Sequence, residues 1–591
     1  MTAIAISIQK SPGQKNSGQK SSGRTSSGRM QVVNVRQRML HVAKWRLLLV
    51  AAGFAALAVA STARLAYLGV DGDAPEALSM AEALRPPRAE ITDRNGVPLA
   101  RALPTFALWF DARPMDGGPA LVKSPQEIAR ELMQIFPDEN YDHLVAVLAS
   151  GKSAYIRHRV LPEEADKVQA LGEAALQFPK EEERFYPQGT MAAFVLGYVD
   201  RDGNGLIGME QVLDARLKDP AMRGQPVALS IDARVQGALE DELTKQIAAS
   251  NAKGGGGIVL DVETGEVLAF ASGPSFDPNR PSVLDANGEG LMHNVMTGQN
   301  YELGSVFKPI TVAAAIDAGV ITDIARRWPA GSEMVIAGRP VHDHKSYGSS
   351  LNVPEALIHS SNIVLAQIGE ALGPSALSAN LKSLGFFEKP YLELPGRRNP
   401  QLPREWSNIT TTRVAFGHGI SLTPLHLASA YAAMVNGGIW RPATLMKLDP
   451  AKAPQGRRVF KASTSARMRQ LLRLIVSLGT GRKADAAGYR VGGKTGTAEV
   501  ADEFGYHKDR VISTFAAAFP MDAPRYVVVT TMVEPKATSA TSGQRTAGYT
   551  AAPVVGKLVP RIGPLLGVMP EDGRDIDLTD LAPLVASGEG E

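Results

Sequence analysis

Between Lys44-Trp45-Arg46 and Arg64 lies Leu47–Ala63, 17 residues without a charge. As a helix rising about 1.5 Å per residue this run spans about 25 Å, near the lower limit for crossing a bilayer. Arg64 can snorkel, and Leu65–Val70 extends the apolar stretch. Residues 1–46 carry nine Lys/Arg and no acid, and the first acidic residue is Asp71. That asymmetry sets the N-terminus in the cytoplasm and everything beyond about residue 70 outside it. Ala58-Val59-Ala60 also fits a signal-peptidase pattern, but a 46-residue leader is long for one, and an uncleaved single-pass anchor is the expected reading.

The rest of the chain divides by texture. Residues 10–29 repeat Ser, Gly, Lys/Arg and Gln and cannot bury enough apolar surface to order, so 1–46 reads as a basic disordered tail. From residue 47 onward 54 basic residues face 60 acidic ones. A basic tail on a mildly acidic body argues against a nucleic-acid partner. The 0 cysteines exclude disulfides, thiolate metal sites and cysteine nucleophiles. After the span over 47–70, residues 71–228 are mixed and charge-rich with no cluster of catalytic groups. Within them Ser124-Pro125-Gln126-Glu127 is a capping box opening a helix that runs through Ile135 and stops at Pro137. From about 229 to 570 the chain alternates strands with Ala-rich helical runs. Ile258–Asp261 with Glu266–Ala271, and Phe515–Phe519 with Tyr526–Val533, read as hairpins. Hairpins flanking buried helices predict an α+β fold, an antiparallel sheet covered by helices. Residues 571–591, seven acids against Arg574, read as a loose acidic tail.

Three short motifs carry chemistry. In Gly304-Ser305-Val306-Phe307-Lys308-Pro309, Pro309 demands a helix's first turn, which places Ser305 and Lys308 on one face as i,i+3 neighbours. A serine hydroxyl becomes a nucleophile when a base takes its proton, and a desolvated lysine can be that base. Ser360-Ser361-Asn362, between two apolar runs, can aim a hydroxyl and an amide into one cleft. Gly493-Lys494-Thr495-Gly496-Thr497 surrounds one lysine with small residues, suiting an edge strand that something approaches closely. The ordered set S-x-x-K, S-x-N, K-T-G is the signature of penicillin-recognising serine acyltransferases.

Beyond these motifs, residues 64–570 resemble the class B penicillin-binding proteins, more the division than the elongation branch. The resemblance rests on Arg88-Ala89-Glu90-Ile91-Thr92-Asp93-Arg94-Asn95-Gly96, Arg184-Phe185-Tyr186-Pro187, Gly205–Glu210, Phe416–Ile420 and Gly488-Tyr489-Arg490-Val491. Leu303 stands where the family usually has Pro, and Thr546–Tyr549 departs from the usual Tyr/Gly-rich run. The resemblance implies a non-catalytic, dimerisation-like pedestal over 71–228, elongated in shape. It also implies a transpeptidase domain over 229–570 that adds an all-helical subdomain to the sheet. The implied reaction is D,D-transpeptidation of peptidoglycan stem peptides with release of D-Ala, blocked by β-lactams. Ser305 would be the nucleophile, Lys308 the base and Ser360 the proton relay. Asn362, Lys494, Thr495, Gly496 and Thr497 would hold substrate, and no cofactor or metal is called for. Partners would be a membrane glycosyltransferase of the FtsW type and other division proteins at the inner membrane, with the catalytic domain periplasmic. Nothing in 71–228 offers the paired carboxylates of a glycan-polymerising domain. A β-lactamase, a β-lactam sensor or an elongation-type transpeptidase would carry the same three motifs.

Other patterns are weaker. Gly488–Thr495 fits G-x-x-x-x-G-K-[ST], but no strand precedes it, and the charged, aperiodic run after it is no phosphate-binding helix. Asp200–Gly205 imitates a calcium loop whose twelfth position is Gln211 instead of Glu. His342-Asp343-His344 lacks a third ligand and reads as a solvated loop, and Gly254–Gly257 reads as a hinge or close backbone approach before a strand.

Overall fold

The computed structural model describes residues 33–70, 88–113, 119–200, 202–281, 294–331, 333–336, 338–502 and 505–585. It forms two units, residues 1–84 and 85–591. The first contains α1 (Val33–Val70), within which Lys44–Ala63 is long and apolar enough to cross a membrane and is exposed among the described residues. The expected disordered tail over 1–46 is corrected at its end, because residues 33–46 are helical and run without a break into the apolar span, while residues 1–32 lie outside the described residues.

In the second unit, β1 (Ile91–Thr92) and β2 (Pro98–Phe110) begin a six-stranded sheet that also contains β3 (Ala154–Val160) and β4 (Lys180–Phe185). Helix α2 (Pro125–Ile135) starts as expected, with Ser124 accepting from the Glu127 N–H and Glu127 accepting from the Ser124 N–H. It buries Ile128, Ala129 and Leu132 against Leu108 and Phe110, and α3 (Tyr141–Ala149) follows it. Glu210, fully buried, takes Arg88 and Arg184 at 2.6 Å each. The calcium-like motif is a turn in which Asp200 accepts from the backbone of Asp202 and Asn204. β1 pairs in parallel with β5 (Val227–Ala228), which leads directly into the second domain.

There α4 (Ala233–Ala249) precedes β6 (Gly254–Asp261) and β7 (Val267–Gly273). After β8 (Tyr301–Glu302) come α5 (Lys308–Asp317), α6 (Val353–Ile358) and α7 (Asn362–Leu372). Further on lie α8 (Pro424–Val435) and α9 (Ala462–Leu478). Next come β9 (Gly492–Asp502), β10 (Gly505–Phe519) and β11 (Tyr526–Val533), then α10 (Ala552–Ile562). The five-stranded sheet runs β9-β10-β11-β6-β7, antiparallel throughout. One face packs on α4 and α10 through Val259, Val528 and Leu558, the other on α8 and α9 through Ile258, Val527 and Leu471.

Three further expectations need correction. The four glycines 254–257 lie inside β6 instead of before it, because a Cβ at Gly257 would come 2.8 Å from Leu239 and one at Gly256 2.7 Å from Met296. Residues 498–502 and 505–510, a charged and aperiodic run in sequence, are strand: β9 and β10 continue as a paired ribbon with an irregularity after Glu499. Residues 571–585 are not loose: Leu581 is fully buried, Arg473 binds Asp575 at 2.8 Å, and Asn352 donates to the Leu584 carbonyl.

Candidate active site

The turn carrying Ser305 departs from a simple α start. Gly304–Phe307 is one turn of 3-10 helix, and α5 begins at Lys308 with Pro309 in its first turn. Pro309 lacks an N–H, so it fits where helix donors have no intrahelical acceptor. Ser305 is half-buried and its carbonyl accepts the Lys308 N–H, while the next carbonyl, of Val306, is held by the buried Tyr431 hydroxyl at 2.7 Å. The turn is pinned against edge strand β9 because residue 496 is glycine. A Cβ there would run into the Leu303 carbonyl and come 2.9 Å from the Val306 nitrogen. Gly304, at φ +60°, would put a Cβ 3.1 Å from the Thr497 carbonyl, so the backbones of the two motifs lie side by side.

Lys308 is fully buried. Its Nζ donates to Asn362 Oδ1 at 2.7 Å, to Ser360 Oγ at 3.1 Å and to the Ser360 carbonyl. Lys494, equally buried, donates to the same Ser360 Oγ at 3.0 Å and to the Thr495 carbonyl at 3.0 Å. Burial pushes both ammonium groups down, because a low-dielectric site disfavours the charged form. For Lys308 the fall is large and deepened by the Lys494 charge, with Asp343 opposing it; Lys494 drops to about 7. The two lysines therefore titrate as a pair in which one proton opposes the other. Thr495 shares a hydrogen bond with Thr480 at 2.6 Å, and Thr497 Oγ1 accepts the Ala547 N–H at 3.0 Å. All eight motif residues predicted from sequence thus lie on the Ser305–Lys308 turn, the Ser360–Asn362 loop and β9.

What local pattern did not reveal is the support. Ser360 sits at φ +60°, a left-handed conformation that side chains rarely adopt and that costs about 1–3 kcal/mol. Asp343 secures the residues that follow it: it accepts from Ser361 Oγ at 2.6 Å and from the N–H groups of Asn362 and Ile363 at 2.5 and 3.1 Å. His342 contributes its carbonyl to the Asn362 amide at 2.9 Å. The segment expected as solvated loop is therefore the clamp on the second motif. Asp343 and Ser361 are 18 residues apart with no spacing rule linking them, so only folding exposes the pairing. A second missed residue is Glu302, which takes the Gly419 N–H and the Tyr506 hydroxyl at 2.9 Å and lies 3.1 Å from His418. Among the described residues no group of three or more His, Asp or Glu gathers as a metal site would.

Two family models match, the penicillin binding protein transpeptidase domain over residues 255–559 and the penicillin-binding protein dimerisation domain over 83–224. A probable peptidoglycan D,D-transpeptidase FtsI of Caulobacter vibrioides is 38% identical over 491 residues, 81% of this chain and 82% of that one. The peptidoglycan D,D-transpeptidase FtsI of Escherichia coli K12 is 30% identical over 534 residues, 85% of this chain and 87% of its own. Among solved structures, penicillin-binding protein 3 of Mycobacterium tuberculosis with aztreonam superposes with a TM-score of 0.64 at 24% identity, covering 84% of this chain and 99% of that one, a likeness of fold. Paired domain matches and relatives aligned across both domains leave one assignment: the chain belongs to the FtsI-like class B penicillin-binding proteins.

Proposed function

We propose that this protein is a peptidoglycan D,D-transpeptidase acting through a Ser305 acyl-enzyme. The observation that carries the reading is the Ser360 hydroxyl held between two buried lysines, one of them a turn along from Ser305. Neutral Lys308 takes the Ser305 proton as Oγ attacks the carbonyl of the penultimate D-Ala. The backbone N–H groups of Ser305 and Thr497, on adjoining backbones, stabilise the oxyanion. As the tetrahedral intermediate collapses, the proton passes through Ser360 to the leaving amine of the terminal D-Ala, and an ester remains on Ser305. The amine of a neighbouring stem then attacks that ester, forming the cross-link and returning the proton to Ser305. Lys494, Thr495 and Thr497 bind the terminal carboxylate by charge-assisted hydrogen bonds, Gly496 admits the nucleophile turn, and Asn362 orients the substrate amide.

Lys44–Ala63 is the membrane anchor, with the N-terminus cytoplasmic and the catalytic domain periplasmic at the inner membrane. Residues 71–228 form the pedestal and 229–570 the transpeptidase domain. The likeness to FtsI relatives supports work at the division septum, and an FtsW-type glycosyltransferase is the partner that the family resemblance implies. The test is intact-mass analysis of the full chain in detergent after penicillin treatment, wild type beside Ser305→Ala. A gain of one drug molecule, absent in the variant and lasting hours, is the expected result. No adduct overturns the reading, and an adduct lost within seconds makes the protein a β-lactamase.

A further inference from the structure

A cleft of about 1160 Å3 opens between the two domains of the second unit. It is lined by Phe194, Ile207 and Gln211 from the first domain, and by residues 297–300 and 394–401 with Lys389 from the second. None of the proposed catalytic residues lines it, although residues 297–300 lead in four residues to the nucleophile turn.

Its chemistry is one-sided. Lys389, Arg397 and Arg398 line it, none has an ion-pair partner among the described residues, and no acid is among the described lining residues. The guanidinium groups are tied only to carbonyl oxygens, Arg397 to Pro390 at 3.1 Å and Arg398 to Gly298 at 3.2 Å. Arg397 Nε and Asn300 Oδ1 are buried and lack partners among the described residues. Six Asn and Gln side chains complete the polar lining. Unneutralised cations in a concavity focus positive potential and suit carboxylates bidentately. Amide side chains donate and accept, as hydroxyl, acetamido and peptide groups require. Such a lining does not suit a cationic ligand.

We propose that this cleft binds a carboxylate-bearing glycopeptide, a disaccharide with its stem peptide, as a second holding site for the polymer being cross-linked. The identity of the ligand rests on the transpeptidase reading. The volume suits a ligand of that size, and the mixture of cations and amides fits a glycopeptide better than an acidic protein segment, which would ask for charge alone. Occupancy would hold a strand beside the domain that acylates its neighbour.

The test titrates the full chain in detergent with soluble disaccharide-tetrapeptide released by muramidase, which lacks the terminal D-Ala and cannot acylate Ser305. Binding is measured by calorimetry on free protein, on penicillin-acylated protein and on the Lys389→Glu/Arg398→Glu double variant. The expected result is binding retained after acylation, lowered about tenfold or more by charge reversal, and weakened by salt. The double variant should still acylate with penicillin at the wild-type rate. No binding, loss of binding on acylation, or equal binding by the double variant overturns the proposal. Tighter binding of a poly-glutamate peptide would do so too, making the cleft a dock for an acidic protein. Failure of wild type to take penicillin counts against the transpeptidase reading alone, since the charge-reversal comparison still decides the cleft.

Discussion

Lys308 and Lys494 meet on a single hydroxyl, that of Ser360, at 3.1 and 3.0 Å, and both are fully buried. Two like charges so placed cannot both be held without cost, so the neutral amine that acyl transfer needs is supplied by the fold. As base, Lys308 must be neutral, so acylation rises with pH through its lowered value. As carboxylate binder, Lys494 must be charged, so acylation falls as pH passes about 7. The expected profile of penicillin acylation rate against pH is a bell. In Lys494→Gln the rising limb moves to higher pH, because the charge that depresses Lys308 is gone; an unmoved limb refutes the coupling.

The same burial has a stability consequence. A lysine whose folded value lies below its unfolded one binds more protons when unfolded, so wild type loses stability as pH falls from about 10 toward the folded value, by up to about 1.4 kcal/mol per pH unit. Lys308→Met escapes this. Its stability relative to wild type, read by denaturant melts at pH 7 and pH 10, should be greater at pH 7, with acylation abolished at both.

Asp343 is a positioning residue for the Ser360–Asn362 loop. Asp343→Ala removes three hydrogen bonds, two of them from backbone donors, and should lower the penicillin acylation rate by about 10- to 100-fold. Asp343→Asn keeps an acceptor for the two N–H groups and should recover most of that rate. Equal loss in both variants would assign the effect to charge instead of positioning.

Gly496→Ala inserts a methyl group where the Leu303 carbonyl and the Val306 nitrogen already stand. Backbone cannot rotate away as a side chain can, so we expect about 1–3 kcal/mol of destabilisation and a larger loss of acylation than of stability. Thermal melts beside mass labelling separate the two effects.

Glu210 is the shared counter-ion of Arg88 and Arg184 in the first domain. Glu210→Ala leaves the buried Arg184 guanidinium without a counter-ion and Arg88 with Asp214 alone, and should cost about 3–5 kcal/mol. Protein that remains folded should still acylate Ser305, since no catalytic group is touched; a melt unchanged from wild type would remove Glu210 from the fold's support.

Local sequence determined those features whose causes lie within a few residues. The apolar run over Leu47–Ala63, the capping box at Ser124, the turn that Pro309 requires and the hairpins around 258–271 and 515–533 depend on helix periodicity, caps and alternation, which act over one or two turns of chain. The three motifs named all eight candidate site residues because each motif is short and its chemistry is carried by residue type. Tertiary structure alone decided what spans long separations: the Asp343 clamp, the left-handed Ser360, the packing of 571–585 and the meeting of Lys308 with Lys494, 186 residues apart. Glycines 254–257 left a hinge and a close approach both open for the same reason, and only the assembled core, where Leu239 and Met296 press on them, decides for close approach inside the strand. Burial is a property of the assembled core, so the depressed lysines on which the chemistry depends appear only when the motifs close around one another.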